Sequence, residues 1–210
     1  MSNIVCTIVF LIIKVANKLG SHLANLMYPL FIKGALIYHH VIFNPSKTSF
    51  IGKTKINIGK NAKVILGDGF SCLSGIDNSI DMTGGSKINV KDGAMLIIGS
   101  NTGITNTIIQ CHDKIIIGNK VKIGAGTMIF DTDFHSLDWR DRNDGSDIEK
   151  RKKSPVIIED LAFIGAHCII LKGVTIGEKS IIGAGSVVSR NVPSGEIWAG
   201  NPAKFIKTIK

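Results

Sequence analysis

From residue 158 to residue 193 the chain reads IEDLAF, IGAHCI, ILKGVT, IGEKSI, IGAGSV, VSRNVP. Each hexamer opens on Ile or Val, and its fifth position is Ala, Cys, Ser or Val. A period of six matches neither the 3.6-residue stripe of a helix nor the alternation of a half-buried strand. It fits a short strand followed by a turn, with the aliphatic residue and the small fifth residue both pointing inward. Three such units close a triangular coil, so equivalent residues recur after eighteen and stack: Ile158 with Ile176, Ile164 with Ile182, Ile170 with Val188. Stacked coils predict parallel ladders around an axial column of Ile and Val, a solenoid built from internal repeats. The glycine that follows the aliphatic residue is expected to ease the turn.

Upstream, IGNKVK, IGAGTM and IFDTDF (117–134) keep the beat, IGKNAK (58–63) starts a weaker set, and residues 64–116 drift in and out of phase. Ahead of the solenoid the pattern turns helical. Ile4, Ile8, Leu11, Val15 and Leu19 form one stripe, and Leu23, Leu26, Met27, Leu30 and Phe31 a second after Gly20. The first apolar run is interrupted by Lys14 and Lys18, short of the ~20 residues a spanning helix needs. No basic region precedes it as in a cleaved signal. Two readings stay open: helices packed on the main domain, or a monotopic anchor in a lipid headgroup layer. The predicted organisation is a basic, apolar helical segment at 1–45, a parallel β-helix at 46–195 with an inserted loop at 136–155, and a tail at 196–210.

Charge sharpens the second of those readings. Of the formal net charge of +9, residues 1–67 supply +8 from Lys14, Lys18, Lys33, Lys47, Lys53, Lys55, Lys60 and Lys63, with no Asp or Glu. That asymmetry points to an anionic surface. The segment has no Arg and few aromatic rings to stack bases, so a membrane face ranks above nucleic acid. Cys6, Cys72, Cys111 and Cys168 are scattered without a C-x-x-C pair, which disfavours disulfides and zinc and favours buried thiols in the cytoplasm.

The beat breaks at DTDFHSLDWR (131–140). Residues 136–155 carry five acids and six bases, which no triangular interior could bury, so they predict a loop thrown out from a corner. His135 stands at its mouth. Imidazole suits the role of a base of near-neutral pKa, and a neighbouring group must then orient the ring. Asp133 and Asp131 are the sequence-adjacent candidates for that orienter, or for a hydrogen bond to a substrate hydroxyl. His112, in IIQCHD, is placed to line the same cleft, and His167 reads as a corner residue.

The repeat and residues 155–206 resemble the hexapeptide-repeat acyltransferases, in particular maltose, galactoside and polysaccharide O-acetyltransferases. The likeness covers roughly residues 90–210 well, 50–90 loosely, and leaves the first 45 unexplained. It implies an all-β fold, a left-handed parallel β-helix, against the right-handed rule for parallel crossovers. It also implies a homotrimer that uses acetyl-CoA as acyl donor, and His135 as base, since DTDFHS matches the family's D-T-D-F-H-P except for Ser136. Carried across by position, the donor would meet Ala166, Ala184, Ser189, Arg190, Asn201 and Lys204. On the acceptor side Asn106 falls near one sugar-gripping position, and His112 stands where the family has Asp. Trp139, Arg140 and Arg142 on the loop suit a sugar ring and a phosphate. The related γ-type carbonic anhydrases need an H-x4-H pair that this sequence lacks, so no metal is expected.

The expected function is therefore acetyl transfer to a sugar hydroxyl in surface-polysaccharide assembly (O-antigen, capsule or exopolysaccharide), in the cytoplasm or at the inner membrane face. Transfer to an amino group, and a non-catalytic membrane-associated scaffold, remain as alternatives.

Overall fold

The computed structural model describes residues 27–75 and 84–209. The first stripe (Ile4 to Leu19), Leu23, Leu26 and Cys6 lie outside the described residues. The chain winds over three faces in turn. The first carries Ser49–Ile51, Ser71–Leu73, Gly103–Thr105, Lys122–Ile123, Phe163–Ile164, Ile181–Ile182, Glu196–Ala199 and Lys204–Thr208. The second carries Lys55–Ile58, Lys87–Val90, Ile108–Cys111, Met128–Phe130, Ile169–Ile170 and Val187–Val188. The third carries Lys63–Leu66, Met95–Ile98, Lys114–Ile117, Val156–Ile158 and Thr175–Ile176. Every pairing is parallel except the last, where Lys204–Thr208 turns back antiparallel on Glu196–Ala199. Residues 196–208 thus extend and close the first face as a hairpin, rather than trailing from it.

The eighteen-residue stack is observed as Ile158 on Ile176, Ile164 on Ile182 and Ile170 on Val188. All six side chains are fully buried. So are the fifth-position residues Ala162, Cys168, Val174, Ser180, Ser186 and Val192. Earlier coils explain the drift in phase: Ile104 stacks on Ile123, nineteen residues on, and Phe50 on Cys72, twenty-two on. Extra corner residues lengthen these coils without changing what points inward.

The glycines work differently from the expectation. The residue turned to positive φ is the fourth of each of the first five hexamers: Leu161 (63°), His167 (57°), Gly173 (77°), Lys179 (61°) and Gly185 (73°). The glycine after the aliphatic residue is required by the close approach of successive coils. A Cβ on Gly165 would lie 2.6 Å from the Ala184 amide nitrogen, and one on Gly124 2.6 Å from that of Ala166.

Helix α1, seen over residues 27–38, caps the first coil with Ile32 and Leu36, both in the core. Ile42 then joins the third face beside Ile65. Met27, Leu30, Phe31, Ile37 and Tyr38 stay exposed. Met27, Leu30 and Phe31 of the sequence's second stripe are thus on the outside, and the packing face is the one the stripe did not name.

Candidate active site

The path from Phe130 to Val156 leaves the edge between the second and third faces. Its base is clamped. Asp131 is fully buried, and its carboxylate accepts the amides of His112 (2.7 Å), Asp113 (2.8 Å) and Lys114 (2.8 Å) of the coil below. Thr132 bridges Lys153, the Asp133 amide donates to the Lys152 carbonyl, and the Ser154 amide donates to the Asp131 carbonyl. Phe134 takes φ 63°, a conformation costly for a bulky residue, and its ring packs edge-on against Phe130 (5.2 Å) and His112 (5.6 Å). That kink, held by rings, turns His135 outward with its side chain 62% exposed.

The His135 ring is oriented from the far side of the loop. Its Nδ1 lies 2.7 Å from Oδ2 of Asp147, whose Oδ1 accepts the Ser136 amide at 2.9 Å. The imidazole beside it, then the Ser136 amide, hold the Asp147 carboxyl below the usual carboxylate range. An ionised carboxylate can only accept, so Nδ1 is the donor in this contact, and in the neutral ring the lone pair is then on Nε2. Ser136, which replaces the proline of the resembled motif, supplies an N–H that proline lacks. It also donates its hydroxyl to Asp141 (2.6 Å), which in turn pairs with Lys150 (2.7 Å). Helices α2 (Trp139–Asp144) and α3 (Asp147–Lys150) bring these acids round, and Gly145, with φ 82°, makes the turn between them.

Several sequence assignments change. Asp133 does not orient the ring: it pairs with Lys172 at 3.0 Å. Asp131 is spent on backbone amides and is out of reach of any substrate. Asn106 is fully buried, accepting the Gly75 amide, and cannot grip a sugar from the interior. Arg140 is tied to Asp138 (2.7 Å), and Arg142 donates to the Ser136 carbonyl, so each guanidinium already has a partner within the loop. Trp139 is exposed and His112 is half-buried beside Phe134. Asp147, which the sequence reading missed, is twelve residues from His135 in the chain and becomes a neighbour only when the loop folds.

The donor-side residues separate onto two edges. Ser189 and Arg190 follow the second face, on the edge that carries His135. Ala125, Ala166, Ala184 and Gly200 stack on the edge between the first and second faces, by the registers of Ile123 with Ile164, Ile164 with Ile182, and Ile182 with Trp198. Asn201 and Lys204 stand exposed at the end of that column. Within one chain, the whole second face lies between the small-residue edge and His135. Cys72, Cys111 and Cys168 are buried and unpaired, and burial pushes all three thiols up, away from reactivity.

A family model described as "Hexapeptide repeat of succinyl-transferase" matches residues 155–190. The chain is similar to a hexapeptide-repeat containing acetyltransferase from Vibrio cholerae, solved with acetyl coenzyme A. Identity is 30%, covering 73% of this chain and 71% of that one, with a TM-score of 0.50. It is 52% identical over 62 residues to the 2,3,4,5-tetrahydropyridine-2,6-dicarboxylate N-acetyltransferase of Clostridium perfringens, 30% of this chain and 26% of that protein. A mutant of the N-acyltransferase AntD from Bacillus cereus, in complex with dTDP and coenzyme A, shares the fold. There the TM-score is 0.58 and identity 22%, over 78% of this chain and 82% of that one. The chain spans less than half the length of the curated relatives it matches. The chain belongs to the hexapeptide-repeat acetyltransferases, and its coil is their left-handed β-helix.

Proposed function

We propose that the chain is an acetyl-CoA-dependent acetyltransferase that modifies a sugar hydroxyl during surface-polysaccharide assembly. The observation that carries this is the outward His135 ring, its Nδ1–H tied to Asp147 and its Nε2 free to take a proton. His135 removes the hydroxyl proton as the acceptor oxygen attacks the thioester carbonyl, and Asp147 balances the charge the ring acquires. The ring then returns the proton to the departing thiolate. The Vibrio cholerae relative bound to acetyl coenzyme A supports the donor. The small-residue edge fits it: Ala166, Ala184 and Gly200 present no bulk to a narrow pantetheine arm, and Lys204 with Asn201 offers a cation and a donor at its end. That edge reaches His135 if it comes from a second copy, so the working unit in this reading is a homotrimer.

Transfer to nitrogen is the second reading, favoured by the N-acetyltransferase names of relatives up to 52% identical over the matched stretch. Matched acceptors separate the two. Coenzyme A release should be seen with a sugar alcohol group and be no faster with the corresponding amino sugar, from a particle of three chains by light scattering. Turnover on the amine alone would overturn the hydroxyl assignment, and full activity of a monomer would overturn the shared site. We also place the outer face of α1 on lipid, because Met27, Leu30, Phe31, Ile37 and Tyr38 are exposed together with Lys33 close by. No described helix is long and apolar enough to cross a membrane. Co-sedimentation with anionic vesicles, weakened by salt, is the expected outcome.

A further inference from the structure

The cations of the inserted loop fall into two groups. On its outer half they have acids beside them: Arg140 pairs with Asp138, Lys150 with Asp141, and Arg142, which donates to the Ser136 carbonyl, lies near Asp147. On the returning arm none is ion-paired among the described residues. Arg151 donates to the Ile148 carbonyl but, among the described residues, meets no carboxylate, and its Nε is buried without a hydrogen-bond partner. Lys153 and, two coils down, Lys91 likewise have no carboxylate within ion-pair distance among the described residues.

These three converge on one side chain. Val90 pairs with Cys111, which sets Lys91 directly below His112. Phe130 pairs with Gln110, which sets Thr132 directly above His112, and Thr132 bridges Lys153. The Arg151 charge acts on His112 as well, so Arg151 joins them. His112 packs against Phe134, the residue before His135, and its Nδ1 has no partner. Burial first, with the Asp131 carboxylate opposing it, and then the charges of Arg151, Lys91 and Lys153 push the His112 pKa down. Among the acids on this edge, Asp131 opposes each single cation's effect on His112 and is the largest individual charge acting on it. Asp131 is buried and its oxygens accept three amides, Asp133 is paired with Lys172, and Asp92 and Asp113 stand exposed at the same turn, Asp92 accepting the Lys60 amide (3.0 Å). Unpaired cations held on a rigid corner beside a candidate base are suited to an anion.

We propose that the acceptor carries an anionic group, phosphate or carboxylate, held by Arg151, Lys153, Lys91 and His112 on the N-terminal side of His135. The inference rests on the acyl-transfer reading of His135 for the word acceptor, and on its own cations for the binding. Binding is therefore measured directly, by calorimetry at low ionic strength on the full chain, with glucose, glucose 1-phosphate and glucuronate as probes. At least one anionic sugar should bind roughly 10-fold or more tighter than glucose, and Lys91→Gln with Lys153→Gln should remove that advantage. Coenzyme A affinity is measured in parallel as the control for an intact fold. Lys179→Gln, an exposed lysine on a different edge that pairs with Glu178, controls for net charge. The two anions separate a phosphate acceptor from an acidic sugar. Equal binding of all three probes, no binding by any of them, or an equal loss in Lys179→Gln would overturn the inference. An anion preference lost in the double variant, in a protein that releases no coenzyme A with any acceptor, would instead uphold this site and refute the transferase reading.

Discussion

The coils at 156–192 and the excursion at 131–155 come from one chain under opposite rules. In the coils each inward side chain is replaceable by its neighbour's type, and the backbone hydrogen bonds pass to the coil below. In the excursion only Asp131, Thr132 and Ser136 are buried, and the order comes from Asp138, Asp141, Asp144 and Asp147 reaching particular donors. Repetition supplies a frame but no chemistry, because every edge of a regular prism is alike. The loop supplies chemistry but no core, so it must borrow rigidity from the frame through Asp131 and Phe134. Stability and activity should therefore be separable by mutation.

The largest test sets one residue from each region side by side. His135→Ala should lower kcat by roughly 10²–10⁴, the usual worth of a general base, with thermal unfolding unchanged. Ile170→Ala should cost about 2–5 kcal/mol in urea unfolding while leaving kcat near normal below its melting point. If His135→Ala unfolds, or Ile170→Ala is silent in stability, the division is wrong.

A finer test lies within the loop. Asp147→Asn should lower kcat roughly 10- to 100-fold, the worth of a charge-assisted hydrogen bond, with little change in KM for acetyl-CoA. Asp133→Asn should cost less, because Asp133 is engaged with Lys172 rather than with the ring. The opposite ranking would return the orienting role to Asp133.

The smallest effect concerns the hinge between the two regions. His112 has its pKa lowered from 6.5 by burial and, beyond that, by nearby cations. The unfolded chain therefore takes up this proton first as pH falls. The stability tied to the neutral ring is present above pH 6.5 and is lost as pH falls from there through the depressed value in the fold. His112→Gln should flatten that part of the stability-against-pH curve, and an unchanged slope would place the proton uptake elsewhere.

Much of this protein can be read along the chain, because a solenoid stacks residues a fixed count apart. Six residues of pattern were enough to name the inward positions, the eighteen-residue stack and the place where the frame breaks at His135. Local periodicity carries long-range contacts here, which is rare in folds with irregular topology. The role of the glycines was misread for a related reason. Period shows that a position is special, while only coil-to-coil distance shows that Gly165 lacks room for a Cβ and that His167 is the residue turned to positive φ.

Where the pattern ends, so does what the sequence by itself determines. Nothing in DTDFHS distinguishes Asp131, buried under three amides, from Asp133 on Lys172 or from an acid twelve residues away. Partner choice in a charged loop depends on which groups the fold brings within 3 Å, and a loop with no repeat has no arithmetic to give that. The tertiary structure alone made Asp147 the partner of His135. It paired Arg140 with Asp138 and brought Arg151, Lys153 and Lys91 near His112 without an ion-pair partner among the described residues. It also set the small-residue edge a full face away from the histidine, because three strands per turn carry successive corners to different sides of the prism.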